Sequence, residues 1–564
     1  MKREAFQTRS QILPLRWLLH MRDATVIVGL CLAASVFTTA CALESSDSLK
    51  SPNSSDTSGY DTQETTEPEQ PEQVFTYLAP RSSRDYVFVA NESLDTVSKI
   101  DADSLEITSI SVGQRPTRLE AVDGHNNAVV LCHRSQQLTI IRADASLRDG
   151  EWVDETTFVD LNESMNELVL SPDGRFAFTY FSSESMEPGD PLGNLQTLLM
   201  IPTDKGMEQV LSYTVGFRVR AIQFSNLVSE TGLFSTQRAF IITDTGISII
   251  DFDDELSSRL LPVLPLSPDP LAEPLGREVY VTPSGQYAAV RDVGVAALYL
   301  LRLSDGAIQT IELPERATDI DVFPNPSALV ENDRLLVLVR EANMVLDIPV
   351  ESAFESGAVA VLSIEAGDLP KGLASLSADG RYAILYSTLT QNKSIIIFDF
   401  DTNSYQELPL SKAASAVLVA PDNAHAIVMH PVEQATPSSD PVASYVASMP
   451  GYSIVELESG FSRLALSRIP ASSMTFWNGD LGSFAYLAFN DEESAVAVVD
   501  AIDLNSLELE SFEMASPPTD LGRLSGRSRI WVNQDHPLGR LSFLDVAGGL
   551  PKTITGFELN RLTR

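Results

Sequence analysis

The sequence predicts an all-β fold of the β-propeller type. Short apolar segments recur along the chain, tight-turn residues precede several of them, and second apolar segments that often end in Asp follow. The recurring segments begin roughly 40 to 60 residues apart, which is the spacing of propeller blades with about four strands. Because one such unit cannot bury both of its faces, neighbouring units must stack against each other.

The clearest unit spans residues 86–116. It opens with Tyr86-Val-Phe-Val-Ala-Asn91, continues with Asp95-Thr-Val-Ser-Lys-Ile-Asp101 and closes with Val112-Gly-Gln-Arg-Pro116. Short apolar or alternating runs separated by turn residues are typical of strands in a sheet. The unit therefore predicts a meander of short antiparallel strands.

Related units fill the rest of the chain. The segments that open them begin at Tyr86, Ala128, Phe176, Ala239, Tyr287, Leu335, Tyr382, Ala426, Ala485 and Ile530. Four of these segments follow a stretch with Pro, Asp, Gly or Asn where a tight reversal needs a fixed or positive φ. These stretches are Ser171-Pro-Asp-Gly-Arg175, Thr282-Pro-Ser-Gly-Gln286, Ser377-Ala-Asp-Gly-Arg381 and Ala420-Pro-Asp-Asn-Ala424.

Residues 86–116 resemble the YVTN-type β-propeller repeat. That repeat has Tyr-Val-x-Asn, then a strand that ends in Ile-Asp, then Val-Gly-x-x-Pro, and a Ser-Pro-Asp-Gly turn. Later units match mainly in the turn and in the Asp that ends a strand. The resemblance covers most of residues 80–560, and it implies the fold more than a function.

Ten units exceed the four to eight blades of most propellers. We expect one large ring of about ten blades. The alternatives are a ring of seven or eight blades, with some units forming loops, or two propellers in one chain. No obvious linker divides the body, which favours the single ring.

The amino-terminal residues have the order of a secretory signal. Basic residues up to Arg22 precede an apolar stretch from Ala24 to Phe37, and small residues lead to Ala40 and Cys41. The apolar stretch is about 14 residues long, shorter than the roughly 20 of a permanent membrane-spanning helix. The pattern therefore predicts export and cleavage.

Ala40-Cys41 resembles the lipobox of bacterial lipoproteins, in which cleavage precedes a Cys that carries a diacylglycerol. This sequence has Thr38 where the family usually has Leu. The resemblance implies residues 1–40 as a signal peptide and Cys41 as the lipidation site. The alternative is an ordinary signal peptide with Cys41 incidental. Ala42 stands where an Asp would mark inner-membrane retention, so we expect attachment to the outer membrane or the cell surface.

Residues 41–75 contain few large apolar side chains and many Ser, Thr, Asp and Glu residues. Such a segment cannot offset its ordering entropy by burial, so it predicts a disordered acidic tether. We expect the repeat domain to span residues 76–564. A lipid on Cys41 and this tether would join the domain to a membrane, whereas without lipidation the protein would be periplasmic or secreted in soluble form.

The chain has 77 acidic and 39 basic residues, for a formal charge of −38, and no basic cluster follows residue 22. Phosphate contacts need a basic face, so we expect no nucleic-acid partner. Cys132 would be the only thiol of the exported body beyond Cys41, and its apolar surroundings predict a buried, inert side chain.

The candidate chemistry is sparse. His425 and His430 are five residues apart on one strand and should face opposite sides, which predicts no shared metal. Asp251-Phe-Asp-Asp-Glu255 and Asp399-Phe-Asp-Thr-Asn403 could bind a cation, but we expect their Asp residues to end strands and bind turn backbones. The sequence therefore predicts no catalytic residue, cofactor or metal site.

Our leading hypothesis is a non-catalytic binding module whose propeller face recognises a protein or a glycan. The first alternative is an extracytoplasmic hydrolase of the lactonase type, which predicts that His and acidic side chains meet at the central channel. The second alternative is a scaffold subunit of an envelope complex. Propellers serve all three functions, so the fold alone does not choose between them.

Overall fold

The fold is taken from a computed structural model. It describes residues 75–148, 151–187, 190–228, 234–252, 258–269, 276–362, 364, 371–433, 440–491 and 496–558. The predicted signal peptide and nearly all of the predicted tether, including Cys41, lie outside these residues. Within them, no helix is long and apolar enough to cross a bilayer.

The described residues form ten four-stranded antiparallel sheets, and the four strands of each sheet follow one another in sequence. We number the sheets blades 1–10 in chain order. The strands of blades 1–5 are β1 (Arg81–Ser82), β2 (Tyr86–Asn91), β3 (Thr96–Asp101), β4 (Ile107–Ser111); β5 (Pro116–Ala121), β6 (Asn127–Cys132), β7 (Gln137–Arg148), β8 (Glu151–Asp160); β9 (Glu167–Leu170), β10 (Phe176–Tyr180), β11 (Thr197–Pro202), β12 (Leu211–Thr214); β13 (Val219–Val228), β14 (Phe234–Thr243), β15 (Ile247–Phe252), β16 (Ser258–Leu260); and β17 (Arg277–Val281), β18 (Tyr287–Asp292), β19 (Ala297–Arg302), β20 (Ile308–Glu312).

The second half of the chain repeats the pattern. The strands of blades 6–10 are β21 (Asp319–Val322), β22 (Arg334–Val339), β23 (Met344–Pro349), β24 (Ala360–Leu362); β25 (Leu373–Leu376), β26 (Tyr382–Tyr386), β27 (Ser394–Asp399), β28 (Ser404–Pro409); β29 (Ala416–Val419), β30 (His425–His430), β31 (Gly451–Glu456), β32 (Ser462–Leu466); β33 (Ser473–Gly479), β34 (Gly482–Asp491), β35 (Val496–Asp503), β36 (Leu509–Glu513); and β37 (Pro518–Leu524), β38 (Arg529–Gln534), β39 (Arg540–Asp545), β40 (Lys552–Thr555). Two short helices interrupt it, α1 (Val350–Ser356) and α2 (Pro441–Ser448).

The first strand of each blade is the innermost. The first strands of neighbouring blades contact each other, as β5 does with β9, β21 with β25 and β33 with β37. A contact between β1 and β37 joins the last blade to the first. The ten first strands therefore form the inner wall of a closed ring, and the fourth strands form its rim.

Ten apolar clusters hold the blades together, and each lies between two neighbours. One example is the packing of Phe176 and Phe178 from blade 3 against Phe224 and Ile241 from blade 4. Another contains Val87 and Ile100 from blade 1 with Phe543 and Phe557 from blade 10, which closes the ring. Burial of apolar area between sheets is the main source of stability in such a fold.

The turn sequences act as predicted. Ser377 Oγ donates to Asp379 Oδ1 (2.6 Å), and Asp379 Oδ1 accepts from the backbone N–H of Arg381 (3.0 Å). Gly380 takes a positive φ of 74°. The equivalent positions in the other three turns also have a positive φ, and they are Gly174, Gly285 and Asn423. A left-handed residue costs least when it is Gly or Asn, which explains the recurrence of these residue types.

The structure confirms the ten-unit count and the single ring, and it excludes both a ring of seven or eight blades and two separate propellers. It corrects one detail of the repeat. The apolar segments that open each unit in the sequence, such as Tyr382–Tyr386, are the second strands of the blades. An inner strand precedes each of them, so each blade begins before its sequence signal.

The ring has two faces. The turn face carries the loops between the first and second strands and between the third and fourth strands. The connection face carries the loops between the second and third strands and the links from one blade to the next. Because successive strands are antiparallel, these two sets of loops lie at opposite ends of the blades. Helix α1 lies on the turn face, whereas α2 lies on the connection face.

Candidate functional site

Polar side chains on the inner wall link one blade to the next. Arg81 of β1 pairs with Glu120 of β5 at 3.3 Å, and Arg118 of β5 pairs with Glu167 of β9 at 3.1 Å. In blade 4, the amide of Gln223 donates to the backbone carbonyl of Val279. These bonds cross between inner strands, where no backbone ladder joins the blades. They fix the distance between neighbouring inner strands, and they give hydrogen-bond partners to polar groups that are partly buried in the wall.

Two neighbouring carboxyl groups occupy the same side of β21. Asp319 and Asp321 are two residues apart on the strand, so both face blade 7. Asp319 Oδ2 accepts from the backbone N–H of Ala374 on β25 (2.8 Å). The Oδ2 atom of Asp321 is buried and has no hydrogen-bond partner in the described structure. Asp321 is therefore the less satisfied of the two carboxyl groups.

Burial raises the pKa of both carboxyl groups. The pKa of Asp319 rises to about 6, although the N–H of Ala374 and the nearby Arg291 oppose the rise. The pKa of Asp321 lies well above the ordinary carboxyl value because of its burial and the charge of Asp319. Two close carboxylates in a poorly solvated site resist double ionisation. The pair therefore gives up its second proton at a higher pH than ordinary carboxyl groups do.

Side chains from the flanking blades surround this pair. Arg291 of blade 5 binds Glu278 and donates to the backbone carbonyl of Ala317 (2.8 Å), just before β21. On the other side is Tyr386 of blade 7, whose pKa is raised first by burial and then by the charges of Asp319 and Asp321. The arrangement can store a proton or hold a polar ligand.

Histidines do not join these acids. The ten inner strands in the described structure contain Asp, Glu and Arg but no His. His425 and His430 lie at the two ends of β30, as the sequence predicts. His425 Nδ1 lies 2.8 Å from Asp422 Oδ2, and His430 Nε2 lies 2.7 Å from the Ser453 hydroxyl. The hydrolase alternative predicts that His and acidic side chains meet at the central channel. Acidic side chains do lie on the inner wall, but His425 and His430 contact Asp422 and Ser453 elsewhere.

The acidic turns serve the backbone. Asp399 Oδ1 accepts from the N–H groups of Asp401 (2.9 Å) and Thr402, which confirms the prediction for this turn. Asp251 pairs with Arg238 at 2.7 Å, and residues 253–255 lie outside the described structure. Within the described residues, no group of three His, Cys, Asp or Glu is arranged to hold a metal. Cys132 is buried, as predicted, and burial raises its pKa to about 12.

A long hairpin rises above the turn face at blade 2. Its strands β7 and β8 are longer than the neighbouring β6, whose first residue, Asn127, pairs with Arg142. Residues 143–148 therefore overhang the sheet by about 15–20 Å. Near the tip, Leu147 and Trp152 form a cross-strand pair. Their exposed fractions are 59% and 65%.

Neighbouring blades brace the base of this hairpin. The Tyr86 hydroxyl of blade 1 donates to Asp144 Oδ2 at 2.5 Å, and Lys99 of blade 1 pairs with Asp154 at 2.6 Å. On the other side, Lys205 of blade 3 pairs with Glu155 at 2.6 Å. The hairpin is consequently held at a fixed angle to the ring, and its two exposed apolar side chains are presented on a rigid support.

The connection face carries helix α2, which is fastened at its carboxyl end. The Lys412 ammonium is fully buried and donates to the carbonyls of Val446 (2.8 Å) and Ala447 (3.2 Å). Glu433 balances this charge from 3.9 Å and also pairs with Lys393 at 2.7 Å. A cation at the carboxyl end of a helix satisfies its last carbonyls and its dipole. None of the helix side chains is buried.

Of these features, sequence reasoning found the turns and the buried thiol, and it missed the hairpin, the carboxyl pair and the buried Lys412. The hairpin left one signal in the sequence, because Asp149-Gly150 between two extended segments is typical of a tight hairpin turn. Lys412 left none, since it is a single polar residue in a loop. Cys41, the predicted lipidation site, lies outside the described residues.

No protein-family model matches the sequence, and no curated protein matches it. Solved structures with similar folds include a eukaryotic initiation factor, with 12% identity, a TM-score of 0.43 and coverage of 78% of this chain and 97% of that one. Dihydro-heme d1 dehydrogenase NirN in complex with DHE shows 14% identity, a TM-score of 0.33 and coverage of 60% and 66%. Hydrazine synthase of Kuenenia stuttgartiensis shows 16% identity, a TM-score of 0.27 and coverage of 62% and 99%. At these values, the propeller fold rests on the strand order and blade contacts of this chain.

Proposed function

We propose that this protein is an exported β-propeller, held to a membrane by a lipid on Cys41, that binds a protein partner through its turn face. The observation that carries the binding role is the braced hairpin with exposed Leu147 and Trp152. Export and lipidation rest on the amino-terminal sequence: the basic and apolar signal, Ala40-Cys41 and the acidic segment that follows.

A protein partner suits the chemistry of the hairpin tip. Exposed apolar side chains on a rigid support lose little conformational entropy on binding, so more of their burial contributes to affinity. Tryptophan is among the residues that most often dominate protein interfaces. The same face also exposes Leu329, Leu481 and Leu550 in the loops of blades 6, 9 and 10. A partner could therefore rest on the ring as well as on the hairpin.

The proposed location follows from the anchor. A lipidated Cys41 without an Asp at position 42 favours the outer membrane or the cell surface. Several acyl chains on one residue give firm membrane attachment, whereas a single chain gives only marginal attachment. A soluble periplasmic or secreted form is the alternative if the chain is cleaved but not acylated.

Site-specific photocrosslinking in cells tests the binding role. We expect a photoreactive side chain at Trp152 to capture a defined protein, and the same side chain at Phe217, an exposed aromatic position on the connection face, to capture none of it. With the captured partner purified, Trp152→Ala should weaken its binding about 30-fold or more, as for a dominant interface residue.

Three outcomes separate the alternatives. Equal capture from Trp152 and Phe217, or unchanged affinity after Trp152→Ala, would contradict the proposal. If the protein binds a glycan array and Trp152→Ala abolishes that binding, the ligand is a glycan and not a protein, since Trp also stacks on sugars. Stoichiometric purification within one large envelope assembly would instead identify the protein as a scaffold subunit.

A further inference from the structure

The chain enters the ring on the connection face. Phe75, the first described residue, is buried, and its backbone N–H donates to the carbonyl of Pro537 at 3.2 Å. The Tyr77 hydroxyl donates to the carbonyl of Leu538 at 3.2 Å. Both carbonyls belong to the loop between β38 and β39, which lies on the connection face. The described chain therefore begins on the connection face of the ring.

The same face exposes apolar side chains around a large part of the ring. We call this set the apolar rim: Met186, Leu192, Phe217, Val263, Val293, Val295, Leu389, Val432, Val442 and Tyr445. They belong to loops of blades 3, 5, 7 and 8 and to the links that enter blades 4 and 5. Leu192 is the most exposed of them, at 79%. Isolated exposed apolar residues are ordinary, but ten on one face need an apolar counterpart.

Helix α2 presents two of these side chains in a fixed orientation. Val442 and Tyr445 are three residues apart, so they share one side of the helix, and their exposed fractions are 67% and 59%. Asp440 caps the first turn by accepting from the N–H of Val442 (2.9 Å), while Lys412 holds the last turn. A tyrosine flanked by apolar residues is typical of the boundary between lipid and water.

Three exposed arginines on this face form no ion pair in the described structure. Arg134 lies in the loop between β6 and β7, Arg316 in the link to blade 6 and Arg468 in the link to blade 9. Most other described arginines pair with a carboxylate. Guanidinium binds phosphate through two parallel hydrogen bonds, so arginines without a carboxylate partner suit lipid headgroups.

From these observations we infer that the connection face rests on the phospholipid bilayer that holds the anchor. The apolar rim enters the interface region, and the three arginines bind headgroup phosphates. This orientation rests on the proposed lipid anchor and adds a second contact to it. The turn face, with the Leu147 and Trp152 hairpin, then points away from the membrane toward a partner.

The test couples the mature chain, from Cys41 onward, to a maleimide lipid in vesicles of phosphatidylcholine and phosphatidylglycerol. Cys132 is buried, so Cys41 is the thiol that reacts. Hydrogen exchange of the coupled protein is compared with that of protein whose Cys41 is capped. We expect exchange to slow about tenfold or more in Pro441–Ser448 and in residues 215–218, and to stay unchanged in the turns at 420–424 and 546–549.

Matched variants identify the contact. Leu192→Glu combined with Val442→Glu should abolish the slowing, whereas Leu147→Glu combined with Leu550→Glu on the turn face should leave it intact. All four positions are exposed, so the fold is preserved. Slowing on the turn face, or on neither face, would overturn the inferred orientation. The lipid is coupled chemically in this experiment, so its result does not depend on whether cells acylate Cys41. Natural acylation is tested separately, by mass spectrometry of the amino terminus of the native protein.

Discussion

Two ionisable residues of the inner wall are buried away from water. Asp319 and Asp321 share one side of β21, and burial raises both pKa values. Asp319 is held by the N–H of Ala374, whereas the buried Oδ2 of Asp321 lacks a hydrogen-bond partner in the described structure. Such a group lowers stability when it is ionised.

Replacement of Asp321 should change stability in a pH-dependent way. A carboxyl group whose pKa is raised in the folded state favours folding at low pH and loses that contribution as the pH rises through the folded pKa. Asn stays neutral, so Asp321→Asn should raise the free energy of unfolding by about 1–3 kcal/mol at pH 8 and change it little at pH 4. Urea unfolding at both pH values measures this.

The control for this experiment is Asp480→Asn, at an exposed position in the loop between β33 and β34. It should leave the unfolding midpoint unchanged at either pH. An equal gain for Asp321→Asn at pH 4 and pH 8 would show that the carboxyl is not protonated when buried. A loss at pH 8 would show that the carboxylate has a stabilising partner.

At the level of elements, the sequence predicted the outer three strands of most blades and missed the inner ones. Strands such as Tyr382–Tyr386 are almost wholly apolar because a neighbouring blade covers each face. Inner strands such as Pro116–Ala121 contain Arg118 and Glu120, whose partners come from the next or preceding blade. Their pattern depends on residues far away in sequence, so periodicity cannot reveal them.

The turns were predictable for the opposite reason. The reversal at Ser377-Ala-Asp-Gly-Arg381 is stabilised by hydrogen bonds within five residues, and Gly380 supplies the positive φ. Local chemistry of this kind is visible in the sequence. The candidate surfaces were not, because the apolar rim and the braced hairpin are defined by the face of the ring on which their residues lie.

Helix α2 should depend on one buried ammonium. Lys412→Met removes the donor to the carbonyls of Val446 and Ala447 and leaves Glu433 with a weaker charge balance. We expect at least tenfold faster hydrogen exchange in Pro441–Ser448 and a lower unfolding midpoint, since breaking a buried ion pair is strongly destabilising.

Lys393→Met is the matched control, because Lys393 also pairs with Glu433 but its side chain is 42% exposed. It should alter exchange in α2 much less. If both variants loosen the helix equally, the exposed pair rather than the buried lysine fastens it. If neither does, contacts of the helix backbone with Glu433 suffice.

On the scale of the whole molecule, the ring closes where blade 10 meets blade 1. In the described structure, side-chain contacts join these two blades, and each blade is built from its own four consecutive strands. The Glu558 carboxylate accepts from the hydroxyls of Thr96 (2.5 Å) and Ser109 (3.1 Å) in blade 1. Phe557 packs edge-on against Tyr77, with ring centroids 5.4 Å apart. The last blade is thereby tied to the first by side chains from both ends of the described chain.

Glu558→Ala should weaken this closure. The buried Thr96 hydroxyl loses its acceptor, which costs about 1–3 kcal/mol, whereas the exposed Ser109 hydroxyl can bind water instead. We expect faster hydrogen exchange in blades 1 and 10, with little change in blade 5 on the far side of the ring. Glu513→Ala, at an exposed position of blade 9, should change neither. Uniform loosening of all blades would mean that the ring unfolds as one unit and that closure is not a separate step.

In our account, the ring is attached to a membrane on its connection face, which carries the apolar rim. Its turn face, which carries the braced hairpin, binds a partner. That account depends most on the lipid at Cys41, which joins the sequence evidence for export to the orientation of the fold. Mass spectrometry of the amino-terminal peptide of the membrane-extracted protein measures it directly. A peptide that begins at Cys41 and carries a diacylglycerol is the predicted result, and an unmodified Cys41 or a different first residue would contradict the account.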